Sequence, residues 1–260
     1  MALCAVSNLS KYYGATRIFQ NITFDIDKNQ RIGLIGPNGV GKTTLFKIIL
    51  GEEDYQEGDV FIRQDIRIDY LDQIPVYPEH YRTIDVLYLA FHEILTMQQQ
   101  LKELEHQMTY LTGAELTQVI QEFGSLEQRY EQRGGYVIRE KLNRILIGLK
   151  ITEDLQDRPF NLLSGGEKSR IVLGKILLEE PDILLLDEPS NHLDMNFMDW
   201  LESYLQDYQG AVVIISHDRW FLNRTVNRII ELSADEAEIY NGNYDYYLVE
   251  HQKRLEEKYK

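Results

Sequence analysis

Between a short apolar run, Arg31-Ile32-Gly33-Leu34-Ile35, and a helix-forming run from Thr44 to Leu50 that Gly51 closes, lies the string Gly36-Pro37-Asn38-Gly39-Val40-Gly41-Lys42-Thr43. A G-x-x-x-x-G-K-[ST] loop held between strand and helix leaves little freedom of fold. Its backbone N–H groups curl around a phosphate chain, and the helix that follows points its positive end at the same place. Gly36, Gly39 and Gly41 allow the close approach, and Asn38, Val40 and Thr44 complete the phosphate-facing segment. Lys42 adds a point charge for the β- and γ-phosphates, and the Thr43 hydroxyl is a candidate Mg²⁺ ligand.

Three further strings follow in order. Ile183 to Leu186 reads as a buried strand ending in Asp187 and Glu188, and such strand ends face the ligand crevice in parallel sheets. Asp187 is expected to hold magnesium, directly or through water, and Glu188 to polarise an attacking water. Upstream, Leu163-Ser164-Gly165-Gly166-Glu167 is a capping box that opens a helix running through Leu178. Its glycine pair weakens a helix but lets donors approach an anion. The natural target is the nucleotide of a partner domain, because the chain's own γ-phosphate already sits in the first loop. Ser216-His217-Asp218 completes the series, and the four strings together imply ATP hydrolysis.

On these residues the chain resembles the ATP-binding cassette superfamily along almost its whole length. The resemblance implies an α/β fold: a P-loop cassette with a mixed sheet core, an antiparallel β subdomain, and a helical subdomain carrying a helical-hairpin arm. It implies that Tyr13 of Lys11-Tyr12-Tyr13-Gly14 stacks on adenine, with Tyr12 as the alternative platform. Gln73 of Tyr70-Leu71-Asp72-Gln73 would touch Mg²⁺ and water, and Ser164, Gly165 and Gly166 would bind the γ-phosphate of the opposing domain. Asp194 of Ser190-Asn191-His192-Leu193-Asp194 would couple the two sites, and His217 would contact the γ-phosphate.

More narrowly, the chain resembles the amino-terminal cassette of an ABC-F protein. The wording Leu163-Ser164-Gly165-Gly166-Glu167-Lys168-Ser169-Arg170 followed by Asp187-Glu188-Pro189-Ser190-Asn191-His192-Leu193-Asp194 carries this. So do the 91 positions separating Gln73 from Ser164, and Tyr240-Asn241-Gly242-Asn243-Tyr244 ahead of a charged helix. The resemblance implies head-to-tail closure on ATP with a second cassette, in the same polypeptide or a homodimer. It also implies a cytoplasmic location, and contacts with the ribosome, tRNA and ribosomal proteins through linker and arm. Translation regulation or ribosome protection against antibiotics would follow. The alternative is the nucleotide-binding motor subunit of a membrane transporter.

The hairpin also follows from periodicity. Leu87, Phe91, Ile94, Leu101, Leu104, Met108 and Leu111 recur at helical spacing, and Leu116, Val119, Ile120, Phe123, Leu126 and Tyr130 repeat it after Thr112-Gly113-Ala114-Glu115, a turn with a second capping box. The expected organisation is a cassette over residues 1–240, an arm inserted at 81–135, and the start of a linker helix at 241–260, with Leu248, Leu255 and Tyr259 on one face. The last stretch has no terminator, which suggests a longer natural polypeptide.

Net charge is −15, and between Thr83 and Arg133 eight acids face three bases. Such a surface lacks the counterion-releasing cations that RNA phosphates require and suits a basic ribosomal protein. Any strong RNA contact is expected beyond Gly242. The longest apolar runs are strand length, so no membrane span is expected. Cys4 is the only cysteine, and it reads as a small core hydrophobe in a reducing compartment.

Overall fold

The computed structural model describes residues 2–71, 75–189 and 195–258. The chain divides into two compact units, Met1–Gln73 with Glu180–Lys260, and Ile74–Glu179. In chain order the first unit contributes β1 (Ala2–Tyr13), β2 (Thr16–Asp27), β3 (Arg31–Ile35), α1 (Lys42–Ile49), β4 (Glu57–Ile62) and β5 (Ile68–Leu71). The second contains α2 (Thr83–Tyr88), α3 (His92–Met108), α4 (Gly113–Gln132), α5 (Ile138–Gly148), α6 (Glu153–Asp157) and α7 (Gly165–Glu179). The chain then returns to the first unit with β6 (Ile183–Asp187), α8 (Met195–Gln206), β7 (Ala211–Ile215), α9 (Arg219–Thr225), β8 (Arg228–Leu232), β9 (Ala237–Tyr240) and α10 (Tyr244–Lys258).

The first unit holds two sheets. One is antiparallel, ordered β2-β1-β4, and the other is ordered β5-β6-β7-β3-β8-β9. In the larger sheet every pairing is parallel except β8 with β9. Parallel strands covered on both faces read as unbroken apolar runs rather than alternating ones. The runs Ile183-Leu184-Leu185-Leu186 and Ala211-Val212-Val213-Ile214-Ile215 are of this kind, and every residue in them is buried. One apolar core joins Leu3, Phe19 and Ile22 of the antiparallel sheet, Ile32 and Leu34 of β3, and Leu45 and Phe46 of α1. At the start of β3 the Arg31 guanidinium is buried, and it donates to the carbonyls of Leu205 at 2.6 Å, Gly210 at 2.8 Å and Tyr208. A buried cation is tolerable only when its donors are spoken for in this way.

In the second unit, α3 and α4 pack on each other through Leu101, Leu104, Val119, Leu126 and Tyr130. Leu87 and Phe91 do not continue α3, as their spacing predicts. They belong to α2 and a 3-10 turn, Leu89–Phe91, because the backbone leaves helical geometry at Phe91 (φ −105°, ψ 12°). The expected second capping box is not made either. Thr112 accepts no side-chain cap bond, since the left-handed backbone of Gly113 (φ 64°) carries the first helical N–H groups away from its hydroxyl.

The leucines of α10 do not form its buried face. Tyr247 is the inward residue, while Leu248 and Leu255 are exposed and Tyr259 lies outside the described residues. Tyr247 stacks edge-on to Tyr240 and donates to Glu231 at 3.0 Å, and Arg254 and Lys258 reach Glu238 at 3.3 and 2.8 Å. A strand surface carrying carboxylates draws the aromatic and basic stripe of α10 inward, ahead of its leucines. Among the described residues no helix is long and apolar enough to cross a membrane.

Candidate nucleotide site

Because β3, β6 and β7 run parallel, their carboxyl ends open on one edge of the sheet, where ligands of such sheets bind. The segments that leave those ends are Gly36 to Gly41 after β3, Glu188 after β6, and Ser216 and His217 after β7. Lys42, Thr43, Asp187, Glu188 and His217, far apart in the chain, thus come together in one unit.

The loop has the shape of an anion cradle. Gly36, Gly39 and Gly41 have φ values of 147°, 79° and 99°, in or near the region L side chains avoid. A Cβ on Gly36 would sit 2.3 Å from the Leu232 carbonyl, and one on Gly41 would strike Ile18 and Phe19 of β2. Val40 is buried and pins the loop to the core, whereas Asn38 and Thr43 are exposed and Thr44 is half-buried. Lys42 Nζ folds over the loop and donates to the Gly36 and Pro37 carbonyls at 2.9 and 3.1 Å. Partial burial holds its pKa below the ordinary lysine value, against the opposing pull of Asp187 and Glu188.

Thr43 Oγ1 donates to Asp187 Oδ2 at 2.7 Å, and the Tyr70 hydroxyl donates to the same oxygen at 3.3 Å. One hydroxyl beside one carboxylate suits Mg²⁺, which keeps waters and takes the rest of its shell from phosphate. No cluster of three or more His, Cys, Asp or Glu side chains suited to a metal occurs among the described residues.

Glu188 has a left-handed backbone (φ 49°), unusual for a residue with a Cβ, and such conformations gather at functional sites. Its N–H continues the ladder to Ile215 O at 2.8 Å. The carboxylate accepts from His217 N at 3.4 Å, and His217 Nε2 lies 3.5 Å from Oε1. Oε1 is buried without a hydrogen-bond partner among the described residues, so it is available to a water or ligand hydroxyl. Beside the loop, a cleft of about 380 Å³ is lined by Gly36, Lys42, Ser216, His217, Tyr244 and Tyr247.

Tyr13 is 49% exposed at the end of β1, whereas Tyr12 is half-buried. Exposure thus favours Tyr13 over Tyr12 as a stacking platform. In the second unit, Ser164 and Glu167 form the expected capping box: Ser164 N donates to Glu167 Oε2 at 2.8 Å and Glu167 N to Ser164 Oγ at 3.3 Å. Ser164 N, together with the Ser164 hydroxyl that donates to the same Oε2 at 2.7 Å, holds the Glu167 carboxyl below its usual pKa. A Cβ on Gly165 would meet open space. Gln73 and Asp194 lie outside the described residues. Sequence reasoning missed Tyr70, and the only signal for it was an aromatic at the end of a strand leading to Gln73.

The chain is similar to known proteins along most of its length. Residues 19–191 match the family model described as ABC transporter. An uncharacterized ABC transporter ATP-binding protein, YfmM of Bacillus subtilis (strain 168), is 37% identical over 248 residues, covering 95% of this chain and 48% of its own. The energy-dependent translational throttle protein EttA of Escherichia coli (strain K12) is 36% identical over 239 residues, covering 92% of this chain and 42% of its own. The chain therefore spans less than half the length of these relatives. A solved ATP-binding subunit of an ABC transporter superposes with a TM-score of 0.67 over 92% of this chain and 90% of that one, at 19% identity. The chain belongs to the ABC transporter family and is an ATP-binding cassette of its ATPase class.

Proposed function

We propose that this cassette is one half of an ABC-F-type ATPase that closes head to tail with a second cassette around ATP and engages the ribosome. The observation that carries this reading is the α3–α4 hairpin. Its apolar seam joins Leu101, Leu104, Val119, Leu126 and Tyr130, with Ile94, Met97, Met108, Leu111 and Phe123 beside them. None of the nucleotide-site residues of the first unit lies in the hairpin, and the relatedness to a translational throttle protein supports the same direction.

In the proposed cycle Lys42 and the loop N–H groups bind the phosphates, Tyr13 stacks on the base, and Glu188 orients a water with His217 beside it. Thr43 and Asp187, with Gln73, would hold Mg²⁺, which neutralises charge on the phosphate oxygens. Ser164, Gly165 and Gly166 would complete the site of the second cassette, with Asp194 coupling the two. Glu103, Glu105, Glu115, Glu122, Glu127 and Glu131 are exposed on the hairpin, a surface complementary to a basic ribosomal protein rather than to RNA. RNA contacts, tRNA included, would come from beyond α10, and the work would be cytoplasmic.

The test is sedimentation of the intact polypeptide with ribosomes through a sucrose cushion. The Glu188→Gln variant with ATP is expected in the ribosomal pellet, and hairpin deletion is expected to reduce it there. Absence from ribosomes in every nucleotide state, together with co-purification of a membrane protein, would establish the transporter-motor reading instead.

A further inference from the structure

Tyr13 is not an isolated ring at a strand end. Lys11, two residues earlier, is only 3% exposed, and its ammonium group is fully engaged. Nζ donates to Glu53 Oε1 at 2.7 Å and to the Asp54 carbonyl at 2.5 Å, and it stands 4.6 Å from the centroid of the Tyr13 ring. A buried ammonium is costly unless its donors are matched, and here two oxygens and one π face match it. The carboxylate and carbonyl come from the segment that follows α1. That segment also grips β1 through Gln56, whose side chain accepts from Tyr12 N at 2.7 Å and whose N–H donates to Ser10 O at 3.1 Å. The helix that opens at the phosphate loop thus ends in the segment that anchors the Tyr13 ring.

We propose that Lys11 and Glu53 form a positioning pair that fixes the Tyr13 ring and polarises its π face for stacking of the adenine base. The inference rests on the reading of Tyr13 as the adenine platform. A cation against one face draws electron density from the ring and restrains its rotation. The outward face is then pre-set for an electron-rich purine, and less rotamer freedom is lost when the base arrives. The pair acts on the base alone, because the phosphates are held by a separate set of donors.

That separation supplies the test: calorimetric titration of the purified chain with Mg-ATP and, in parallel, with inorganic tripolyphosphate. Lys11→Met, which keeps the buried stem, is expected to weaken ATP about five-fold, within the range of a desolvated cation–π contact, with tripolyphosphate affinity retained. Glu53→Gln, at a less buried position, should show the same selective loss, about two- to three-fold, and Lys11→Arg should recover part of it. Equal losses for ATP and tripolyphosphate would mean a merely structural role and overturn the proposal. So would a Lys11→Met protein that binds ATP like wild type while Tyr13→Ala weakens it. If Tyr13→Ala itself leaves ATP affinity intact, the platform reading fails, and the pair's assigned role with it.

Discussion

Thr43 Oγ1 and Asp187 Oδ2 are 2.7 Å apart, although 144 positions separate them in the chain. This contact ties the first turn of α1 to the end of β6, and it is where a divalent cation bridging protein and phosphate would be received. Asp187→Asn is expected to cut the gain in ATP affinity that magnesium confers over EDTA by about tenfold, a loss of about 1.4 kcal/mol. Titrations with and without the metal measure that gain, and an undiminished one would remove Asp187 from the metal shell.

Glu188 carries a buried carboxylate oxygen, Oε1, that makes no hydrogen bond among the described residues. Replacing its carboxylate by an amide keeps the shape and removes the base. In the complete protein, Glu188→Gln is expected to slow single-turnover hydrolysis at least about 100-fold, in the range of general-base loss, while ATP stays bound. Rapid-quench assays with labelled ATP read both quantities, and equal rates in wild type and variant would contradict the role.

Gly36→Ala is expected to be a stability mutant as well as a binding one. Its φ of 147° and the Leu232 carbonyl 2.3 Å from the would-be Cβ force the backbone to move, at a cost of about 2–4 kcal/mol. Gly39→Ala, with open space at the same test, should cost only the strain of its positive φ, about 1 kcal/mol. Thermal unfolding should rank Gly36→Ala well below Gly39→Ala, and the reverse order would refute the steric account.

The α10 contact predicts an acid limb of stability. Hydrogen bonds from Lys258 first, then from Tyr240 and Arg254, hold the Glu238 carboxyl at about 2, against an ordinary value of 4.5. A folded-state value below the unfolded one stabilises the fold at pH above 4.5, and that stability is lost as pH falls toward 2. Glu238→Gln should therefore lower stability at neutral pH and flatten the profile between pH 5 and pH 2. Denaturant midpoints across that range are the measurement, and parallel curves for wild type and variant would negate the linkage.

The parts of the molecule legible in advance are those dictated by local chemistry. The loop at Gly36, the apolar strands before Asp187 and Ser216, and the capping box at Ser164 each need only neighbouring residues, and the structure has all of them. What was not legible depends on distant partners. Alternation along β1 does not separate Tyr12 from Tyr13, because the β1–β2 register shifts between Lys11 and Tyr12. The seam Leu248-Leu255 of α10 is a sound helical stripe, but the surface it meets carries Glu231 and Glu238 and selects Tyr247, Arg254 and Lys258. Tyr70 reaches Asp187 from a strand 117 positions away, a relation no window of sequence contains.

The middle of the larger sheet has a cost in time. β3 pairs with β7 and β8, through Ile32 with Val213 and Gly33 with Ile229, so its apolar ladder edges wait for partners made nearly 200 residues later. At about 5–20 residues per second, the nascent strand stays unpaired for about 10–40 s. Slow codons between Glu180 and Ile215 would prolong that exposure. The first sign of such a change should be aggregation during synthesis, even where the finished protein is as stable as before.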